Sequence, residues 1–238
     1  MTPTSKPIVF FGTEDFSDVA LAQLLAAGFA VRLVVTKPDT RRGRGKQLVA
    51  PRVKQTALAH DIPVLQPRQL GDITPHVQAL GQPVGVLVSY GRIIPQRIID
   101  LFNPGIINLH PSLLPAYRGP TPIEQAILDG RPTTGISIMS LTAQMDAGPV
   151  YSQRTHPLTG TETQPELYDT LARIGSQELT RVLPAIMRGE LTPQPQDDAQ
   201  ASYTQLLTKA AGTLDPAQHN AQQLERATRA YHSYPKVR

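Results

Sequence analysis

This chain predicts an α/β fold built on a doubly wound, mostly parallel, Rossmann-like sheet, and three observations carry the prediction. Short apolar runs recur at Ile8-Val9-Phe10-Phe11, Ala30-Val31-Arg32-Leu33-Val34-Val35 and Val84-Gly85-Val86-Leu87-Val88-Ser89. Runs of that length without strict alternation suit strands covered on both faces. Between the first two, Asp15 to Ala27 repeats apolar residues at helical spacing, with Phe16, Val19, Ala20, Leu24 and Ala27 on one side. Glycines punctuate the joins: Gly12 closes the first run and Gly28 is well placed to end the helix. Strand, helix and strand in that order imply a right-handed parallel crossover.

The remaining elements follow from local chemistry. Thr36 to Val49 has little apolar content, two glycines and a basic cluster of Lys37, Arg41, Arg42, Arg44 and Lys46 against the single acid Asp39. It reads either as a solvated loop or as a flexible arm for phosphates, with Gly43 and Gly45 letting the backbone around Arg42 and Arg44 take unusual angles. Pro51 to His60 predicts a helix with proline at its start, Val64-Leu65 a short strand, and Asp72 to Leu80 another helix. The run ending at Ser89 leads into Tyr90-Gly91 and a helix around Pro95 to Phe102. Gly105 to His110 is the next strand. Pro115 to Pro122 is a loop holding Tyr117 and Arg118, and Ile123 to Asp129 is a short helix ended by Gly130. Ile136 to Leu141 alternates and reads as a strand, followed by a loop with Gln144, Asp146 and Gly148, then a strand from Val150 to His156. Thr163-Gln164-Pro165-Glu166 matches a capping box, which predicts a helix to about Arg188 with Gly189 ending it. Pro193 to Gln200 reads as a polar linker and Ala217 to Tyr231 as a helix.

Composition bounds the function. A chain of 238 residues holds one large domain, or one full domain and part of a second, and 40% hydrophobic residues suffice for a sizeable core. Cysteine is absent, which excludes disulfides and thiolate metal sites and fits a reducing, cytoplasmic location. The apolar stretch Ile8 to Phe11 is too short for a signal sequence, and no run approaches the roughly 18 apolar residues of a membrane span. The net charge is only +4, so the local patch from Lys37 to Lys46 says more than the sum; a patch of that kind suits a polyanion.

The candidate chemistry lies in Ile106-Ile107-Asn108-Leu109-His110-Pro111. Residues i and i+2 of a strand share a face, so Asn108 and His110 project together at a strand end. Ligands of doubly wound sheets bind at the carboxyl ends of strands, which makes Ser89-Tyr90-Gly91 and Asn108-Leu109-His110 candidate crevice walls. Asp146, on a later loop, is a candidate partner. A carboxylate beside an imidazole fixes its tautomer and favours its protonated form, and a neighbouring amide donates to an oxygen gaining charge, a combination suited to acyl transfer. The same residues also fit a bland alternative, in which His110 is a hydrogen-bonded core histidine and Tyr90 a half-buried aromatic.

Asn108-Leu109-His110-Pro111-Ser112-Leu113-Leu114-Pro115, then Tyr117-Arg118-Gly119, then Met145-Asp146-Ala147-Gly148 together resemble the signature of the folate-dependent formyltransferases. The opening Phe10-Phe11-Gly12-Thr13-Glu14-Asp15-Phe16, the arm from Lys37-Pro38-Asp39 through Gly43-Arg44-Gly45-Lys46, and Ser89-Tyr90-Gly91 with Ile94-Pro95 resemble the methionyl-tRNA formyltransferases within that group. Several separated motifs agreeing in order are far more specific than any one of them. The resemblance implies the formyltransferase fold and a catalytic trio of Asn108, His110 and Asp146. It implies transfer of the formyl group of 10-formyltetrahydrofolate to the α-amino group of initiator methionyl-tRNA, without a metal. By the same resemblance Ser89, Tyr90, Gly91, Ile94, Ser112, Leu113, Leu114, Pro115, Met139 and Gln144 would form the folate site. Arg41, Arg42, Gly43, Arg44, Gly45, Lys46 and Lys209 would contact tRNA. A monomer with no membrane partner is expected.

Some positions depart from the pattern. Pro111 stands where tRNA formyltransferases more often have Gly or Ala, and His-Pro-Ser-Leu-Leu-Pro is more like the glycinamide ribonucleotide transformylases. Those carry a Gly-Ser-rich phosphate loop, which Gly12-Thr13-Glu14-Asp15 is not. Leu206 replaces a usual basic residue, and Lys209-Ala210-Ala211 lacks the usual acids. The resemblance divides the chain into a catalytic domain at 1–189, a linker at 190–212, and at 213–238 a helical lead-in to a C-terminal OB-type domain, of which most is expected to be missing. Two other readings stay open: a formyltransferase for a nucleotide-linked amino sugar, and a non-catalytic RNA- or folate-binding remnant.

Overall fold

The computed structural model describes residues 6–42 and 47–238, with Arg42 described by its main chain alone. In chain order the elements are β1 (Ile8–Gly12), α1 (Asp15–Ala26), β2 (Val31–Val35), β3 (Thr40–Arg42), β4 (Gln47–Val49), α2 (Arg52–Ala59), β5 (Val64–Leu65), α3 (Thr74–Ala79), β6 (Val84–Val88) and α4 (Gln96–Ile99). They continue with β7 (Ile106–His110), α5 (Pro122–Leu128), β8 (Thr133–Ser140), β9 (Val150–Pro157), α6 (Gln164–Met187) and α7 (Ala221–Ala230). The main sheet runs β5-β2-β1-β6-β7-β8-β9. Strands β5 to β7 in that order pair in parallel, whereas β8 runs antiparallel to β7 and β9 antiparallel to β8. The chain winds outward from β1 through β2 to β5 and then returns to β6 on the other side of β1. That reversal puts a switch point between the carboxyl ends of β1 and β6.

Period-two alternation sorts the strand residues into two cores. Ile8, Phe10, Val34, Val86, Ile107, Leu109, Ile136 and Ile138 pack with Phe16, Leu24, Leu171 and Leu179 from α1 and α6. Val9, Phe11, Leu33, Val35, Leu87 and Ile106 pack on the opposite face with Val77, Ile94, Ile98 and Phe102. Both faces are covered, so the strands read as unbroken apolar runs. Asn108 and His110 share their face with Ile106, the second of these. The long α6 lies close over β7 because Gly175 has no side chain: a Cβ there would sit 2.8 Å from Leu109 Cδ1. The carboxylate of Glu166 accepts from both the amide and the hydroxyl of Thr163, at 2.8 and 2.7 Å, which closes the expected capping box at the start of α6.

Several local expectations need correction. The buried face of α1 comprises Phe16, Ser17, Ala20, Leu21 and Leu24, while Val19 is 42% exposed. The face is rotated because Ser17 packs against Gly12, where a Cβ would come within 2.6 Å. The stretch 36–49 holds the two-stranded antiparallel hairpin β3–β4, with Arg41 opposite Leu48, rather than an unstructured loop. Its base is tied down by Asp39, whose carboxylate accepts from Lys54 Nζ at 2.9 and 3.0 Å and from Gln66 Nε2 at 2.7 Å. Those bonds, the Gln66 one foremost, hold the Asp39 carboxyl below its ordinary range. The helix expected from Asp72 to Leu80 is a 3₁₀ turn over Leu70–Ile73 followed by α3, and the one expected from Pro95 to Phe102 is the single turn of α4. The strand expected over Ile136 to Leu141 runs from Thr133 to Ser140, and its alternation marks no solvent face: Thr134 to Met139 are all buried, because β8 is an interior strand between β7 and β9.

After α6 the chain turns at Gly189, with φ 72°, and runs back past the edge strand β9 to the loop that follows β7. Gln194 and Val150 exchange backbone bonds at 2.8 Å, and Ser202 and Thr204 bond the main chain of Arg118. Polar side chains with few apolar contacts of their own gave no sequence signal for this docking. Helix α7 then lies against α5, burying Ala227 and Ala230.

Candidate active site

Strand β7 ends in the middle of the sheet, with β6 on one side and β8 on the other. Asn108 pairs with Leu87 and Met139, and His110 with Ser137. Both residues are buried, at 4% and 5% exposure. Beyond His110 the chain turns through Ser112 to Ala116, and Ser137 and Gln153 pin that turn. Ser137 Oγ donates to the Ser112 carbonyl at 2.7 Å and accepts the Leu114 amide at 3.0 Å, while Gln153 Nε2 donates to the Leu114 carbonyl at 2.8 Å.

Asp146 meets the pair from the loop between β8 and β9. Its Oδ2 lies 3.7 Å from His110 Nδ1, and its Oδ1 accepts from Asn108 Nδ2 at 3.4 Å. The Gly119 amide donates to Oδ2 at 2.8 Å. On the far side of the imidazole, His110 Nε2 lies 2.9 Å from the Tyr117 carbonyl. A carbonyl only accepts, so Nε2 carries the proton and the lone pair of neutral His110 is on Nδ1, facing Asp146. On protonation, Nδ1–H points at a carboxylate and Nε2–H at a carbonyl, so every imidazolium proton has an acceptor.

Loop 117–119 supplies two of these contacts. Tyr117 has φ 62° and Gly119 φ 111°, and a Cβ on Gly119 would sit 2.8 Å from the Thr204 carbonyl. The Tyr117 hydroxyl donates to Asp129 at 2.5 Å and accepts from Arg131 at 2.5 Å. Burial and the Asp129 bond push its phenol up, against Arg131. Between these residues Arg118 is 1% exposed, and it bonds Gln196 Oε1, Asp198 Oδ1 at 2.6 Å and the Tyr203 hydroxyl at 3.0 Å. A buried guanidinium without such partners would carry a desolvation cost of several kcal/mol.

The structure thus brings Asn108, His110 and Asp146 together. The expected folate residues divide. Ser89 (φ 44°) and Gly91 (φ 67°) turn the main chain at the end of β6, at the switch point. The Tyr90 ring is fully buried, edge-to-face on Phe11 with centroids 5.7 Å apart, and its carbonyl accepts from Thr13 Oγ1 at 3.1 Å; burial pushes its phenol up. Ile94, Met139, Ser112 and Leu114 are buried, Leu113 and Pro115 half-buried, and Gln144 exposed. Beside Gly91 an open hollow of about 430 Å³ is lined by Lys37, Pro38, Thr40, Pro67, Arg68 and Arg92. Of the expected tRNA contacts, Arg41 is exposed on β3 and Lys209 exposed in a 3₁₀ turn. Gly43, Arg44, Gly45, Lys46 and the Arg42 side chain lie outside the described residues. Sequence reasoning missed the roles of the Tyr117 carbonyl, the Gly119 amide and Gln196. The Tyr-Arg-Gly motif pointed to the first two; nothing local pointed to Gln196. Among the described residues, no group of His, Asp and Glu could hold a metal, and no helix is long and apolar enough to cross a membrane.

A strand-end Asn-His pair with a carboxylate, on a Rossmann-like sheet, suits an acyl-transfer class of protein. A family model described as formyl transferase matches residues 6–183, and the chain belongs to that family. The relatives it resembles include methionyl-tRNA formyltransferases. That of Chloroflexus aurantiacus (strain ATCC 29366 / DSM 635 / J-10-fl) is 44% identical over 230 residues, covering 96% of this chain and 74% of the relative. That of Herminiimonas arsenicoxydans is 42% identical over 238 residues, covering 96% and 75%. The solved N-formyltransferase from Helicobacter canadensis, in complex with folinic acid and dTDP-3-aminofucose, shares the fold. Its TM-score is 0.76 at 17% identity, covering 99% of this chain and 84% of that one.

Proposed function

We propose that this formyltransferase moves the formyl group of 10-formyltetrahydrofolate to the α-amino group of methionine on initiator tRNA, using Asn108, His110 and Asp146. The observation that carries the reading is the shared face of Asn108 and His110 with Asp146 Oδ2 3.7 Å from Nδ1. Attack of the amine on the formyl carbon forms a C–N bond and puts negative charge on the former carbonyl oxygen. Asn108 Nδ2 is the donor for that oxyanion, and the positive charge of protonated His110 beside it adds to its stabilisation. The amine must shed a proton, and Nδ1 is the basic atom of the site. Asp146 supports the resulting imidazolium. Collapse returns the electron pair to the carbonyl and breaks the bond from the formyl carbon to the folate nitrogen, which leaves as tetrahydrofolate with the proton that His110 took from the amine.

The residues fit a folate donor. Main chain at Ser89 and Gly91 lies at the switch point beside Lys37, and Leu87, Ile94 and Leu141 supply apolar surface. The cations Lys37, Arg68 and Arg92 around the adjoining hollow suit the carboxylates of its glutamate tail. The tRNA acceptor rests on the 42–44% relatives and on the anchored hairpin that carries Arg41. In this reading residues 1–189 are the catalytic domain, 190–212 the linker and 213–238 the lead-in to an OB-type domain, and the enzyme is a cytoplasmic monomer. The test offers the chain labelled 10-formyltetrahydrofolate with charged initiator tRNA and, separately, a nucleotide-linked amino sugar. Formylmethionyl-tRNA is the expected product; label in the sugar alone, or in neither, refutes the proposal.

A further inference from the structure

Gln196 lies 50 residues beyond Asp146 yet holds its loop. The Gln196 amide nitrogen donates to two carbonyls of that loop, Asp146 at 2.8 Å and Gly148 at 2.7 Å. Its oxygen accepts from Nε and Nη2 of Arg118 at 3.0 and 2.8 Å. Carbonyls need a donor and the guanidinium needs an acceptor, so the network admits one orientation of the amide. Both of its donor hydrogens are committed to the catalytic loop.

That loop needs holding. Asp146 has φ 48°, left-handed backbone that is uncommon outside glycine and persists where its surroundings over-determine it. Its neighbours Gln144 and Met145 are exposed and supply little packing. The Gly119 amide fixes the carboxylate, and Gln196 fixes the peptide that carries it. Arg118 joins the two restraints, because it is the residue before Gly119 and its guanidinium grips Gln196.

We infer that Gln196 is a positioning residue for catalysis: by clamping the Asp146 and Gly148 carbonyls to buried Arg118, it sets the Asp146 carboxylate against His110. The activity readout rests on the formyl-transfer reading above, whereas the clamp itself is measurable without substrate. Gln196→Glu keeps the acceptor for Arg118 but loses both donors and faces two carbonyls with a carboxylate. Gln196→Met removes both functions without adding charge, and carries the test should the glutamate variant fail to fold. Each variant should lower kcat by about tenfold or more, since a misplacement of about 1 Å costs up to about a hundredfold, while KM for the formyl donor changes less than about threefold. On an Asp146→Asn background the same substitutions should cost less than about twofold, because a residue acting through the carboxylate has nothing left to position. Amide hydrogen exchange across 144–148 should quicken in both variants. Wild-type kcat in both, or an undiminished loss on the Asp146→Asn background, overturns the inference. If the wild-type chain transfers no formyl group, the functional reading fails by itself, and unchanged exchange at 144–148 then decides against the clamp.

Discussion

Replacing Asp146 by Asn keeps the shape of the side chain and an oxygen for the Gly119 amide, and removes one negative charge. The magnitude follows from the 3.7 Å between Oδ2 and His110 Nδ1. At an effective dielectric constant of about 20, a full imidazolium–carboxylate attraction at that distance is about 4.5 kcal/mol. The Asp146 side chain is 16% exposed, and its Oδ2 already accepts the Gly119 amide, so part of that attraction is screened or shared. An expected loss of about 2 to 3 kcal/mol in the transition state remains, or roughly 30- to 150-fold in rate. In the proposed mechanism the charge on His110 develops during reaction, so the loss should fall on kcat with KM for the formyl donor little changed. Single-turnover formyl transfer at saturating donor measures it. A loss below about threefold would mean that Asp146 does not support an imidazolium, and the acid–base role of His110 would go with it.

Gly119→Ala should destabilise the fold by about 2 kcal/mol or more, since φ is 111° and the new Cβ would meet the Thr204 carbonyl at 2.8 Å; urea unfolding within about 0.5 kcal/mol of wild type would contradict this. The bonds from Arg181, at 2.6 and 3.0 Å, hold the Glu178 carboxyl below its ordinary 4.5 against the effect of burial, with Ser152 adding a third bond. A depressed carboxyl contributes stability above the unfolded pKa that is lost as pH falls through the folded one. Glu178→Gln should therefore cost about 1 to 3 kcal/mol at pH 7, and the gap should narrow below about pH 4.5; unfolding curves with a constant gap down to acid pH would be the wrong outcome. Arg41→Ala should weaken binding of charged initiator tRNA and reduce the salt slope by about 0.9 per lost phosphate contact, leaving KM for the formyl donor alone. An unchanged slope removes Arg41 from the tRNA surface.

The sheet was legible because its determinants are local. Strands covered on both faces must be apolar throughout, so β1, β2 and β6 announce themselves as runs, and period two alone puts Asn108 and His110 on one face. The capping box at Thr163 and Glu166 is likewise a matter of four adjacent residues. Boundaries were less legible. Val19 is apolar and at helical spacing, yet the close packing of Ser17 on Gly12 turned α1 so that it faces water. The hairpin β3–β4 could not be read from a polar stretch whose stability derives from Lys54 and Gln66, residues further along the chain that grip Asp39.

The sequence by itself determined the fold class, the direction in which Asn108 and His110 project, and, through its separated motifs, the family. Only the tertiary structure decided how those groups are arranged. It brought the Asp146 carboxylate to 3.7 Å from Nδ1, aimed Nε2 at the Tyr117 carbonyl and so assigned the basic nitrogen, and closed the arrangement with Gln196 and Arg118. The physical reason is one of range. Alternation and capping act between residues within a turn or two of each other and leave a periodic trace, whereas a hydrogen bond across 50 residues, such as that from Gln196 to the Asp146 carbonyl, exists only once the chain has folded.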